Sequence, residues 1–175
     1  MRNRLLLAAL AACLALAGCR SKQKVQVQAT EEEAPSLAST VHVADPRISS
    51  QLISGFYGIE GDSWRWTAGK FTVLLRPPRT AAQKGAVLQL KFALPEPVIG
   101  KLKTVSLAAT INGTALPPQT YTQSGEYTYS RDVPPNLLGG EAVKVEFALD
   151  KALPPSGSDQ RELGLVVSAV GFDPK

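Results

Sequence analysis

The densest group of chemically informative side chains lies between Gly55 and Thr67, a stretch that contains both tryptophans of the chain. Trp64 and Trp66 are two residues apart, so in a β-strand both face one side while Arg65 faces the other. An exposed indole ring can stack on the C–H face of a sugar, and polar neighbours can bind its hydroxyl groups. A stacking surface at Trp64 is one interpretation, and the sequence leaves the role of this residue open. The alternative is that the rings fill a core, which is the favoured interpretation for Trp66.

A second charged segment, from Asp159 to Leu165, leads directly into the last apolar run. Asp159 and Arg161 are expected to form a polar cluster with Glu60 and Arg65 at one edge of the fold, because arginine forms bidentate pairs with carboxylates. Such a cluster is either an ion-pair network that joins strand ends, which is the favoured interpretation, or part of a ligand site. If it is part of a ligand site, Tyr57 and Trp64 would stack on the ligand, and the charged residues would make polar contacts with it. The six candidate ligand-binding residues are Tyr57, Glu60, Trp64, Arg65, Asp159 and Arg161.

The two segments together resemble the small jelly-roll modules that are appended to bacterial membrane glycosyltransferases and polysaccharide-related proteins. The matching residues are Gly55 to Glu60, Arg65-Trp66-Thr67 and Asp159 to Leu165. The resemblance extends over about residues 48–173 and implies a fold similar to that of carbohydrate-binding modules, with a glycan as the expected ligand. The ligand of those modules is generally undefined, so the resemblance implies architecture more than activity. This sequence departs from them in having no attached catalytic or transmembrane domain, which leaves open whether it binds the same ligands.

Catalysis is not expected from these residues. Glu60 and Asp62 lie two positions apart, whereas glycoside hydrolysis needs two carboxyl groups on opposite sides of the scissile bond. His42 is the single histidine, and the two cysteines lie near the N-terminus. This composition argues against most transition-metal sites and against Cys–His or Ser–His–Asp catalysis in the folded domain. The sequence predicts no enzyme activity, no metal and no cofactor.

The N-terminus has a basic start at Arg2 and Arg4, followed by an apolar run over residues 5–16 that is too short for a stable membrane span. Leu16-Ala17-Gly18-Cys19 resembles the lipobox of bacterial lipoproteins. The resemblance implies that residues 1–18 are a signal peptide, that Cys19 receives a diacylglycerol, and that several acyl chains together anchor the protein stably. The alternative is an ordinary secretory signal with a chance cysteine.

Arg20 follows the expected lipidation site. In Gram-negative bacteria an aspartate at this position commonly retains a lipoprotein in the inner membrane, so its absence favours the outer membrane. Residues 19–45 are predicted to be a flexible tether, because they contain an acidic run, Pro35 and few large apolar residues. The folded domain is then expected over residues 46–175.

The net charge of +4 falls toward balance when Arg2 and Arg4 leave with the signal. A concentrated basic face is the usual requirement for nucleic-acid binding, and the sequence shows no such concentration. Nucleic acid is therefore not an expected partner.

From residue 48 onward, β-branched and aromatic runs alternate with Gly and Pro clusters, a pattern typical of many short strands. Phe71, Val73 and Leu75 share one face, which indicates antiparallel sheets packed on one side. Asn112-Gly113 predicts a type I′ hairpin. The predicted fold is all-β, an antiparallel, jelly-roll-like β-sandwich of about eight to nine strands. The predicted strands are Gln51–Ile59, Ser63–Thr67, Lys70–Arg76, Ala86–Ala93, Lys103–Ile111, Gln119–Ser124, Tyr127–Val133, Ala142–Leu149 and Leu163–Phe172.

These observations predict a membrane-anchored, non-catalytic lipoprotein whose β-sandwich binds an envelope or extracellular glycan, such as exopolysaccharide, lipopolysaccharide or peptidoglycan. The alternative is a structural or assembly lipoprotein that holds an envelope protein through a sheet face or edge. An exposed row of aromatic side chains in a shallow groove would favour the glycan, and an open edge strand or flat apolar patch would favour the protein partner.

Overall fold

The computed structural model describes residues 36–175. The predicted signal peptide, Cys19 and most of the predicted tether lie outside the described residues. Within residues 36–175, no helix combines the length and the apolar character needed to cross a bilayer. The described part contains ten strands: β1 Thr40–His42, β2 Leu52–Glu60, β3 Trp64–Leu75, β4 Ala86–Leu94, β5 Val105–Ile111, β6 Thr114–Ala115, β7 Gln119–Tyr121, β8 Gly125–Val133, β9 Val143–Leu149 and β10 Val166–Pro174.

Every strand pairing is antiparallel, and the main order is β6-β5-β9-β3-β10-β4-β8. β1 adds to β10, β2 adds to β3, and β7 adds to β5. The strands fold into two facing layers, and aromatic contacts between the layers show this. Tyr129 of β8 meets Phe147 of β9 edge-on, with 6.4 Å between ring centroids. Phe92 of β4 likewise meets Tyr121 of β7 at 5.2 Å. The prediction of an all-β antiparallel sandwich is therefore confirmed.

β3 belongs to both layers and is one continuous strand of twelve residues, where the sequence predicted two. Residues 70–75 pair with β9, whereas Arg65 and Trp66 pair with β10. Thr67, which is fully buried, lies where the partner changes. Its backbone N–H donates to Leu165 O, its carbonyl accepts from Gly164, and its hydroxyl accepts from the Leu165 N–H at 3.1 Å. The change of partner thus leaves the buried Thr67 fully hydrogen-bonded.

Alternation along the strands builds the core as the sequence predicted. Phe71, Val73 and Leu75 of β3 are buried, and Phe71 stacks on Phe147 with a centroid distance of 4.9 Å. β4 shows the same period, with Leu88, Leu90, Phe92 and Leu94 buried. Apolar burial is the main stabilising contribution of such a core.

Turns and helices are partly as predicted. Asn112 and Gly113 have φ angles of 48° and 82°, as a type I′ hairpin requires, and they join β5 to β6. A 3₁₀ helix spans Pro135–Leu137. A second 3₁₀ helix, Pro46–Gln51, and the helices α1 Ala81–Lys84 and α2 Glu96–Leu102 had no clear signal in the sequence.

β1 lies inside residues 19–45, the segment predicted to be a flexible tether. Thr40, Val41 and His42 pair with β10, and both Val41 and Val43 are fully buried. Gly171 permits this pairing, because a Cβ there would lie 2.6 Å from Thr40 Oγ1 and 2.7 Å from Thr40 Cα. A three-residue strand is too short to show a periodic pattern, so only its tertiary contacts identify it.

The burial of β1 generates a stability prediction. Val41→Ala should lower the free energy of unfolding by about 2 kcal/mol, because it removes buried methyl groups and leaves a cavity. Thr40→Ala is the matched control, since Thr40 is exposed, and it should change stability by less than about 0.5 kcal/mol. Urea unfolding followed by circular dichroism measures both. Equal midpoints for Val41→Ala and the wild type would show that β1 contributes nothing to the folded core.

Candidate functional site

Four of the six candidate ligand-binding residues form one cluster at the end of β2. Arg161 Nη1 donates to Glu60 Oε1 at 2.7 Å, and its Nε and Nη2 donate to the two carboxylate oxygens of Asp159 at 3.0 and 2.9 Å. The guanidinium carbon lies 5.4 Å from the centre of the Tyr57 ring. The structure thus brings together Tyr57, Glu60, Asp159 and Arg161.

This cluster is closed on itself. Each nitrogen of the Arg161 guanidinium already donates to a carboxylate of this chain, so the fork that would hold a ligand carboxylate or phosphate is occupied. The pairing joins the end of β2 to the loop that precedes β10. Because the side chains are about a third exposed, with 34% for Arg161 and 36% for Glu60, the ion pair is screened and adds little stability. The geometry matches the structural interpretation of this segment.

The same contacts shift the acid–base behaviour of the cluster. Side-chain and backbone hydrogen bonds from Arg161 lower the pKa of Asp159 to about 2. The Asp159 and Glu60 carboxylates in turn raise the pKa of Arg161 above its usual range. Asp159 therefore keeps its charge to a lower pH than an unpaired aspartate does.

Arg65 has a different environment from Arg161. Its Nε donates to Val43 O at 2.6 Å and its Nη1 donates to Tyr57 O at 2.8 Å. The side chain thus joins the end of β1 to β2 by binding backbone carbonyls. These donors would otherwise be the ones available to a ligand, so the arrangement gives Arg65 a structural role.

Trp64 begins β3 directly after the tight turn formed by Gly61 and Asp62, whose φ angles are 55° and 52°. It lies opposite Glu60 in the strand register and packs edge-on against Trp66, with centroids 6.4 Å apart. A Cβ at residue 61 would lie 2.9 Å from Trp64 Nε1, so the glycine leaves room for the indole. Trp64 is half-buried, and Trp66 packs against the core as the sequence favoured.

Trp64 borders an open groove of about 530 Å³ on the outer face of β10, β4 and β8, here called the Trp64 groove. Ala93 and Val166, which are register partners, contribute its apolar lining. Its polar lining includes Ser63, Lys91, Glu126, Thr128 and Ser168.

These polar lining residues were not among the sequence candidates. The signal that could have identified Lys91 is its place among the outward-facing positions of β4, opposite the buried Leu90 and Phe92. Thr128 pairs with Lys91, and Glu126 pairs with Ala93, so the register of β8 brings both to the same face. Their proximity to Trp64 depends on β10 lying between β3 and β4, which local sequence does not reveal.

The Trp64 groove offers an indole, one cation, one carboxylate and several hydroxyl groups. Lysine only donates hydrogen bonds, a carboxylate only accepts them, and a hydroxyl does both. This combination matches a ligand that is rich in hydroxyl groups and has apolar C–H faces. Within residues 36–175, no cluster of three His, Cys, Asp or Glu side chains is placed to hold a metal ion.

No protein-family model matches the sequence, and no curated protein matches it. The fold is similar to that of 21 solved chains. One is the CBM36-1 domain of a multidomain xylanase from the hindgut metagenome of Trinervitermes trinervoides, with 11% identity, a TM-score of 0.43, and coverage of 78% of this chain and 96% of that one. Another is a family 35 carbohydrate binding module from an environmental isolate, with 12% identity, a TM-score of 0.37, and coverage of 82% and 90%.

An acetyl xylan esterase from the rumen bacterium Butyrivibrio proteoclasticus is also similar, with 14% identity and a TM-score of 0.46. The match covers 80% of this chain but only 33% of the esterase. At these identities and TM-scores, the likeness assigns neither a ligand nor an activity to this chain.

The Asp159 pKa generates a prediction about acid stability. Because the folded-state pKa of about 2 lies below the ordinary value of 3.8, the stabilisation is complete above about pH 4 and is lost as the pH falls toward 2. Arg161→Met should raise the Asp159 pKa toward its ordinary value and remove this part of the acid-dependent loss. An NMR titration of the side-chain carboxyl groups measures the pKa directly.

Asp45 is the internal control for this titration. Arg47 lowers its pKa to about 2 by the same kind of contact, independently of Arg161. The Asp45 pKa should therefore be the same in the wild type and in Arg161→Met. An Asp159 pKa that also stays near 2 in the variant would contradict the assigned cause.

The turn before Trp64 generates a second prediction. Gly61→Ala should displace the indole and shift the Trp64 fluorescence, because a Cβ there overlaps Nε1 and the positive φ adds about 1 kcal/mol of strain. The spectra are recorded in a Trp66→Phe background, which leaves Trp64 as the single indole. Gly58→Ala is the matched control, because nothing lies within 4 Å of its added Cβ. Identical spectra for the two variants would show that Gly61 does not position the ring.

Proposed function

We propose that this protein is a non-catalytic, lipid-anchored glycan-binding protein of the bacterial cell envelope, and that it binds its ligand in the Trp64 groove. The observation that carries the proposal is the position of a half-buried indole beside an open groove of about 530 Å³ with Lys91, Glu126 and Thr128 on its wall. Concave sites with a few convergent polar groups are the usual setting of small-ligand recognition.

The chemistry of the groove supports a sugar over other ligand classes. Lys91 and Glu126 have opposite charges, so neither a strongly anionic nor a strongly cationic ligand is favoured. The indole supplies an apolar surface, and the exposed hydroxyls of Thr128 and Ser168 supply hydrogen bonds that need no charge on the ligand. A neutral, hydroxyl-rich ring uses all of these groups.

The lining of the groove also supports a binding role without catalysis. Glu126 is the single carboxylate that lines the Trp64 groove, whereas most glycoside hydrolases place two carboxyl groups across the bond they cleave. Glu60, the carboxylate singled out by sequence, is paired with Arg161. Binding rather than hydrolysis is the function that these groups fit.

Membrane attachment in this proposal rests on Cys19 and its lipobox-like context. A lipid on Cys19 would hold the domain near an envelope surface, and Arg20 favours the outer membrane. The glycans within reach would be lipopolysaccharide, peptidoglycan or exopolysaccharide.

Binding to a glycan array tests the proposal. The full chain, purified in a detergent without a sugar headgroup, should bind at least one envelope glycan, and Trp64→Ala should weaken this binding by about tenfold or more, which corresponds to a loss of about 1.4 kcal/mol. Tyr57→Leu is the matched control, because it removes the ring that faces Arg161 in the closed cluster. It should retain binding.

Two results would contradict the proposal. One is the absence of binding by folded wild-type protein across lipopolysaccharide, peptidoglycan and exopolysaccharide. The other is binding that survives in a folded Trp64→Ala protein. Circular dichroism of each variant establishes that it is folded.

A second candidate function is the holding of an envelope protein partner through β2. β2 pairs with β3 on one side, and residues 52–59 carry no charge. Ile53 and Ile59 are the large apolar side chains most exposed in the described part, at 53% and 38%. An uncharged edge strand of this kind can add a strand from another protein. If the folded wild type binds no glycan, this edge becomes the favoured site.

A further inference from the structure

A second, smaller recess of about 100 Å³ lies on the same outer face as the Trp64 groove. Its lining includes Thr40 and His42 of β1, Gln89 of β4, and Gly171 and Asp173 of β10. Lys91 lines both recesses. Ser168 lines the first and the adjacent Ala169 lines the second, so the two recesses meet along β10.

The strand register places the two recesses in line. Val166 lies in the Trp64 groove and Asp173 lies in the second recess, seven residues farther along β10. At the rise of an extended strand this distance is roughly 23 Å, a length that several consecutive sugar rings would span.

β10 carries small side chains on its outer face, whereas the neighbouring strands β4 and β1 carry longer ones. Its outward residues in the centre are small, namely Ser168, Ala169 and Gly171. β4 places Lys91 and Gln89 beside them on one side, and β1 places His42 opposite Ala169 on the other. Small side chains between longer polar ones make a trough that is open toward both recesses.

Resting on the proposed function, we infer that the Trp64 groove and the second recess form one trough for an unbranched, linear glycan that is bound along its chain rather than at its end. Trp64 stacks on one sugar, Lys91 donates a hydrogen bond at the junction, and His42 with Gln89 contacts sugars farther along.

The two ends of the trough make unequal contributions. The second recess has no Trp, Tyr or Phe in its lining, so its contacts are hydrogen bonds from side chains that are partly solvated. The net free energy of such bonds is small, because they replace bonds to water. The Trp64 end therefore supplies the basal affinity, and the His42 end adds affinity when the ligand is long enough to reach it.

Calorimetric titration of the full chain in detergent, with two probe series, tests this inference. The probes are linear chito-oligosaccharides and peptide-free peptidoglycan strands, each fractionated from the disaccharide to the octasaccharide. For the wild type, affinity should rise by about tenfold or more between the shortest and the longest probe of a series that binds. The double variant His42→Ala, Gln89→Ala should bind the disaccharide like the wild type and lose the gain with length.

Ser130→Ala is the matched control. Ser130 is exposed on the outward face of β8, opposite Gln89 in the register, but lines neither recess. It should keep the full gain with length. Trp64→Ala should weaken binding at every length, which separates the two ends of the trough.

The outcomes distinguish the failure of this inference from the failure of the proposed function. Affinity that does not depend on length, or a folded double variant that keeps the gain, overturns the linear trough while glycan binding stands. If the folded wild type binds neither series at any length, the linear trough is overturned. If it also binds nothing on the glycan array, the proposal of glycan binding is overturned as well.

Discussion

The hydrogen bonds of Thr67 are the constraint on which the rest of the structure depends. At this residue β3 ceases to pair with β10 and the following residues pair with β9, so one strand serves both layers. Such a change would leave buried backbone groups without partners, and the bonds to Gly164 and Leu165 prevent this. Gly164 allows the close approach, because a Cβ there would lie 2.7 Å from Ala68 O. After Thr67 in the chain, β3 contributes Phe71, Val73 and Leu75 to the core, and before Thr67 it presents Trp64 on the outer face.

The closed charged cluster and the groove have different roles in the candidate site: the cluster links chain segments, and the groove presents groups to solvent. Glu60 is opposite Trp64 in the register, so its ion pair with Arg161 links the hairpin that presents the indole to the loop before β10. The charged side chains of the cluster are thereby paired with one another, whereas the groove presents a more varied set of groups. A ligand then meets a preformed surface and pays less ordering entropy on binding.

Sequence reasoning succeeded where the information is local. The alternation of Phe71, Val73 and Leu75, the turn at Asn112, and the pairing of Arg161 with Asp159 all follow from residues close together in the chain. Apart from the meeting of Glu60 with Arg161, it did not reach features that depend on tertiary neighbours. β1 is identified by its contact with β10, and the groove exists because β10 lies between β3 and β4. Arg65 binds the carbonyl of Val43, which no spacing indicates.

The position of β1 gives the domain a mechanical polarity. Residues 1–35 precede the described chain, so any tension that arrives from the N-terminal side reaches the sheet at this three-residue strand and at the hydrogen-bonded residues Ala38 and Ser39 just before it. β1 is paired with β10 along three register pairs, whereas β10 is paired with β4 along eight. Load would therefore peel β1 away before it disturbs the rest of the sheet. His42 would leave with it, while Trp64, on a different strand, would keep its place; a pulled molecule would release the far part of a long ligand first.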